Sequence, residues 1–203
     1  MARTAPVSSG GDFERPEPGV HVARLTHCID LGTQVTTFNN EEKRQRKAIL
    51  GWTMMDMDPG EDGRRPVVWE RMTWSMSGKA NLRKRLEAVR GKPWSDEEAA
   101  RVDIYALAEK QIPAQLQIVN EEKAGKTYTN ITAAMSVPKG LTVPPTEQSS
   151  VLFDLDAPDM EVFATFSDRM KETISASPEY QDYGRIKPAA KPVEDGYADD
   201  IGF

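Results

Sequence analysis

"VVWERMTWSMSGKANLRKRLEAVRG" (residues 67–91) changes its period midway, and that change decides the fold. From 67 to 76, Val68, Met72, Trp74 and Met76 alternate with Trp69, Arg71, Thr73 and Ser75, the period of two of a half-buried strand. Then Leu82, Leu86 and Val89 recur at helical spacing, and Gly91 marks the stop. Upstream lie two strands, residues 20–34 and 43–57, the second basic at its start and apolar in its middle. In the first, Val20 and Val22 are expected on one side and Ala23, Leu25, Ile29 and Leu31 largely on the other. "DPGEDGRRP" (58–66) is turn chemistry. Downstream, residues 93–111 read as a second helix with Ser95 as N-cap and Glu98 completing a capping box. Strands follow at 113–122 and 126–137, joined by the "KAGK" turn.

The order β-β-β-α-β-β predicts a mainly β protein, a five-stranded Greek-key barrel of the oligonucleotide-binding (OB) type, with its helices between strands three and four. An α+β sandwich of the same order is the alternative. Beyond Pro138 the chain loosens, and a helix over 158–175 carries an apolar stripe of Met160, Phe163, Met170 and Ile174. That stripe needs a surface, on the barrel or on a neighbouring subunit of a homo-oligomer. The expected organisation is a disordered arm (1–18), the barrel (19–138), a linker and docking helix (139–178) and a disordered acidic tail (179–203).

Charge supports this division. The chain has 26 Lys and Arg against 32 Asp and Glu, a net −6. Residues 1–146 hold 21 basic and 19 acidic side chains, and residues 147–203 hold 5 and 13. A mildly basic body with an acidic tail suggests a polyanion partner for the body, and a tail that competes for the same surface or recruits something basic. Cys28 is the single cysteine, which excludes an intrachain disulfide, and no apolar run approaches the roughly 20 residues of a membrane helix. With no secretory signal at residues 1–19, a cytoplasmic location is expected.

A groove that follows a phosphate backbone needs fixed cations, and splayed bases need flat rings to stack on. The sequence offers Lys43, Arg44, Arg46 and Lys47 at the entry of the second strand, Arg64 and Arg65 before the third, and Trp69 with Arg71 on one face of it. Phe38, expected in the loop between the first two strands, and Tyr128, just after Lys126, add rings. Lys79 and Arg83, with the neighbouring helix cations Lys84, Arg85 and Arg90, extend the path. Trp52 and Trp74 are expected in the core. Catalytic and metal readings are poor. His21 and His27 share a face but lack a third ligand, and "DMDPGED" (56–62) has Gly60 where a calcium loop needs a ligand. Neither a phosphate-cradling loop nor a nucleophile elbow is present, so the reading is a binding protein without a cofactor rather than an enzyme.

The stretches 77–99, 117–140 and 151–163 resemble a family of phage-encoded proteins of replication and recombination gene clusters, regarded as single-stranded DNA-binding proteins with an OB barrel. The resemblance is most specific at Leu82-Arg83-Lys84, Arg90-Gly91, Gly125-Lys126, Tyr128, Asn130-Ile131 and Phe153-Asp154. It implies a protein that coats single-stranded DNA during replication or recombination in a bacterial host. The terminus "ADDIGF" is similar to the acidic tip of bacterial single-stranded DNA-binding proteins: Asp199, Asp200, Ile201 and Phe203 match, and Gly202 stands where that family has Pro. The similarity implies that these four residues recruit replication or recombination proteins. A protein-binding adaptor and a strand-annealing recombinase are the other readings.

Overall fold

Thr26 determines how the longest strand is used. In the computed structural model, which describes residues 15–38 and 41–186, β1 (Gly19–Phe38) pairs antiparallel with β2 (Glu41–Met54), and the register slips by one between Leu25 and His27. Such a bulge moves the side chains that follow it to the opposite face, here as far as a second irregularity between Asp30 and Gly32. Ala23 and Leu25 before it, and Cys28 after it, therefore join one apolar cluster, whereas Ile29 and Leu31 belong to another. This corrects the expected single face for Ala23, Leu25, Ile29 and Leu31. It also places His21 and His27 on opposite sides.

The strand order is β3 (Val67–Thr73), β2, β1, β4 (Pro113–Lys123) and β5 (Lys126–Met135), with antiparallel neighbours throughout. A sixth, short strand, β6 (Val151–Phe153), runs parallel to β1 at His27–Ile29, continuing the edge that β4 occupies at Gly19–Arg24. The fold is thus mainly β, as expected. The sheet curls until the outer edges of β3 and β5 approach each other, but no hydrogen-bonded ladder joins them.

α1 (Asn81–Arg90) spans that opening, with Leu82, Leu86 and Val89 buried and the left-handed Gly91 (φ 78°) ending it. The second expected helix is two short ones. α2 (Asp96–Ala99) has the Ser95–Glu98 capping box, and Asp103 then starts α3 (Ile104–Glu109) by accepting the Ala106 N–H. The first core, enclosed by the sheet and these helices, centres on Leu25, Leu50, Trp52, Met54, Leu86 and Leu116.

The second core lies on the outer face of β1 and β2. Alternation along β2 sends Ala48, Leu50 and Trp52 inward and Ile49 outward, where it meets the C-terminal segment. The single helix expected over 158–175 is α4 (Met160–Thr165) and α5 (Asp168–Ser175), because Phe166 is extended (ψ 153°) and Ser167 caps a new start. Chain expected to be disordered from residue 179 instead continues the helix α6 (Pro178–Ile186). Glu179 fastens it to β1, accepting from the Thr33 amide at 2.9 Å and hydroxyl at 2.6 Å. Gly32 (φ 69°) allows the approach, since a Cβ there would lie 2.5 Å from Ser177. The docking surface is therefore the protein's own sheet. Among the described residues no helix is long and apolar enough to cross a membrane.

Candidate nucleic-acid interface

An edge strand leaves backbone groups unpaired, and where two such edges face each other the space between them is polar. Beside α1 the opening between β3 and β5 forms a groove of about 910 Å³. Lys47, Arg71, Lys79 and Lys84 line it, with Thr73 and Thr132 between them. None of these four cations has a described carboxylate within salt-bridge distance. The Lys47 ammonium donates to Gln45 and Thr73, both at 2.8 Å, and its pKa is lowered by burial and by the nearby Arg71 charge. Glu70 also lines the groove, but neither Lys47 nor Arg71 pairs with a described carboxylate, and two like charges this close favour a ligand that brings an anion.

Arg85 crosses the opening. It reaches from α1 to Glu70 on β3 and to the Ile131 carbonyl on β5, a bridge between edges that share no ladder. Burial pushes the Glu70 carboxyl up, and the Arg85 guanidinium opposes that shift.

On the other side of this bridge stands Trp69. Its ring packs edge-on against His27, centroids 4.8 Å apart, over Gly51, where a Cβ would lie 2.8 Å from the indole. It remains 47% exposed. A cleft of about 230 Å³ beside it is bounded by Val67, Thr129, Arg15 and Pro16. Trp69 thus has a rigid back and a free side, the requirement for a stacking platform. Burial lowers the His27 pKa to about 4. The imidazole is neutral in the folded protein well below the pH at which the unfolded chain protonates it. Its stabilising effect is complete above about pH 6.5 and is lost as pH falls toward about 4. His27→Gln is expected to reduce the loss of unfolding free energy between pH 7 and pH 4 by on the order of 2–3 kcal/mol, measured by urea titration. An unchanged pH dependence would contradict this account.

The other expected contacts divide. Lys43 and Arg44 are exposed, but they sit far out on the β1–β2 hairpin. Arg44 is seven residues from Gly51, roughly 24 Å at ~3.4 Å per residue. Arg46 is committed to Asp30 and Asp156, which keep it charged but occupied. Arg64 is exposed beside Asp62, and Arg65 donates to the Met57 carbonyl, which holds it against its own loop. Lys126 and the 48%-exposed Tyr128 lie at the far end of β5, although Thr129 next to them lines the Trp69 cleft. Phe38 ends β1 rather than standing in a loop, and nothing further is described of it. Trp52 is fully buried within the first core, and Trp74, half-buried beside Tyr105, packs against that core. Asp199, Asp200, Ile201 and Phe203 lie outside the described residues.

No protein-family model matches this chain, and no curated protein matches it.

Arg83, expected on the path of cations, is engaged within the fold. It is buried and donates to Glu87, Asp96 and the Met76 and Trp94 carbonyls, four of its five N–H donors, so it holds the α1–α2 connection together. Arg83→Ala is expected to lower the thermal midpoint and leave single-stranded DNA affinity of the folded protein unchanged. A selective loss of affinity would restore its DNA role. The helix residues that do face the groove are Lys84, Arg85, Asn81 and Ala88. The sequence carried a signal for this: Glu87 stands four residues after Arg83, a helical ion pair at 2.8 Å.

Proposed function

We propose that the protein binds single-stranded DNA across the opening between β3 and β5, with phosphates along Lys47, Arg71, Lys79 and Lys84 and a base on Trp69. The observation that carries this reading is the juxtaposition of four cations that have no described carboxylate within salt-bridge distance with an exposed indole two residues from Arg71. Phosphate contacts and ring faces are common to every sequence, so binding without strong sequence preference follows. The order β3-β2-β1-β4-β5, with helices between β3 and β4, supports an OB barrel left open at its last seam. The resemblance to phage replication and recombination proteins supports a role in coating exposed strands in a bacterial cytoplasm. The likeness of Asp199, Asp200, Ile201 and Phe203 to an acidic tip supports recruitment of replication or recombination enzymes.

Fluorescence titration with oligo(dT) and with a duplex of equal length, at several salt concentrations, tests this. Single strands should bind more tightly, with tryptophan quenching. Log affinity should fall by about 0.7 per log unit of salt for each phosphate neutralised, a slope near −3 for four contacts. Equal affinity for the duplex, or no binding, would overturn the proposal.

A further inference from the structure

Another cleft, of about 220 Å³, lies on the outer face of the sheet between β2, β3 and α5. Its floor is Leu31, Ile49 and Met170, which belong to the second core or pack against it. Arg71 on β3 and Arg169 on α5 are the cations in its lining. Arg71 also lines the larger groove, and among the described residues it is the one that the two spaces share. Ile49 is the register partner of Arg71, so alternation turns both of them, with Trp69 and Thr73, to this outer face.

Residues 147–203 are acidic as a whole, with 13 carboxylates against 5 cations. The helical period sorts these charges on α5: Arg169 and Thr173, four apart, line the cleft, whereas Asp168 and Glu172 lie outside it. Arg169 is exposed, and no described carboxylate lies within salt-bridge distance of it. Its backbone is fixed, because Ile174 is fully buried and the Gln34 amide donates to the Leu31 and Thr173 carbonyls at 2.7 and 3.1 Å. Two guanidiniums over an apolar floor suit a phosphate whose sugar rests on that floor. The space is smaller than the roughly 300–1,000 Å³ of a small-molecule pocket, so it fits one unit of a longer polymer. We propose that α5 is a second wall of the DNA interface: a strand that leaves the groove over Arg71 meets Arg169, which takes a further phosphate, with the sugar on Ile49 and Met170. This rests on the reading of the groove as a single-strand site and adds to it a segment whose net charge argues against such a role. Arg169 is in place only while α5 is docked, so bound DNA also holds the C-terminal segment to the sheet.

Oligo(dT) titration at several salt concentrations tests it, with Arg169→Ala, Lys171→Ala and Lys47→Ala set against the unaltered chain. One phosphate contact contributes about 0.7 to the slope of log affinity against log salt. Arg169→Ala, an exposed change that spares the core, should flatten the slope by about that amount and weaken binding roughly fivefold at 0.1 M salt, the effect shrinking toward 1 M. Lys171→Ala removes the same charge from the same helix outside the cleft and should leave the slope in place. Hydrogen exchange at the α5 amides should slow when oligo(dT) is added, and slow less in Arg169→Ala. A slope that Lys47→Ala reduces and Arg169→Ala does not would overturn this inference while keeping the groove. Equal effects of Arg169→Ala and Lys171→Ala, or α5 exchange indifferent to DNA, would overturn it too. An unaltered chain that binds no single strand removes the underlying reading, and the inference with it.

Discussion

Arg85→Met is expected to lower the unfolding free energy by about 3–5 kcal/mol near neutral pH, the penalty for removing one member of a buried ion pair. Arg85 and Glu70 are 13% and 15% exposed, and Glu70 has burial already raising its pKa. Without the guanidinium that shift grows. The sign follows from linkage: a carboxyl with a raised folded pKa costs nothing while both states are protonated, below about pH 4.5. The cost then increases as pH rises toward the folded value. The deficit should therefore be larger at pH 7.5 than at pH 5. Adding Glu70→Gln should recover much of it, because the buried charge is gone. Urea titrations of the three proteins at both pH values measure this, and a pH-independent deficit that the second change fails to relieve would show that Arg85 acts by packing alone.

Trp69→Ala is expected to weaken single-stranded DNA binding roughly 5- to 150-fold, the loss of about 1–3 kcal/mol of base stacking. Trp69→Phe should keep most of the affinity because a ring still lies on His27 and Gly51. The salt slope should stay near the wild-type value in both, since neither touches a cation. Lys47→Ala and Arg71→Ala should do the reverse, each reducing the slope by about 0.7. A Trp69→Ala protein with unaltered affinity would place bases elsewhere, with Tyr128 the next ring to test.

What the sequence revealed depended on how local each determinant is. The alternation that begins at Val67, the spacing of Leu82, Leu86 and Val89, and the Ser95–Glu98 box are set within a few residues; the helix and the box formed as read, and the strand formed over Val67–Thr73, three residues shorter than expected. Trp52 was recognisable as core for the same reason. The continuous apolar run Ala48–Trp52 also carried information that alternation alone hid: a strand apolar on consecutive residues is buried on both faces. That is the circumstance of Ile49. The bulge at Thr26 has no Gly or Pro to announce it. The roles of Arg46 and Arg83 depend on Asp156 and Asp96, which only folding brings near them. Cationic residues were thus visible as a set, while their division into occupied and available ones was a tertiary property.

The parallel pairing of β6 with β1 has a consequence for synthesis. Ile29 and Leu31 emerge from the ribosome about 120 residues before Phe153 and Leu155, the side chains that cover them. At ~5–20 residues per second the nascent chain displays that apolar stripe for roughly 6–25 seconds. A chain halted before residue 150 retains an exposed, adhesive strand, so the yield of soluble protein in the cell should be limited by holdase chaperones acting during translation.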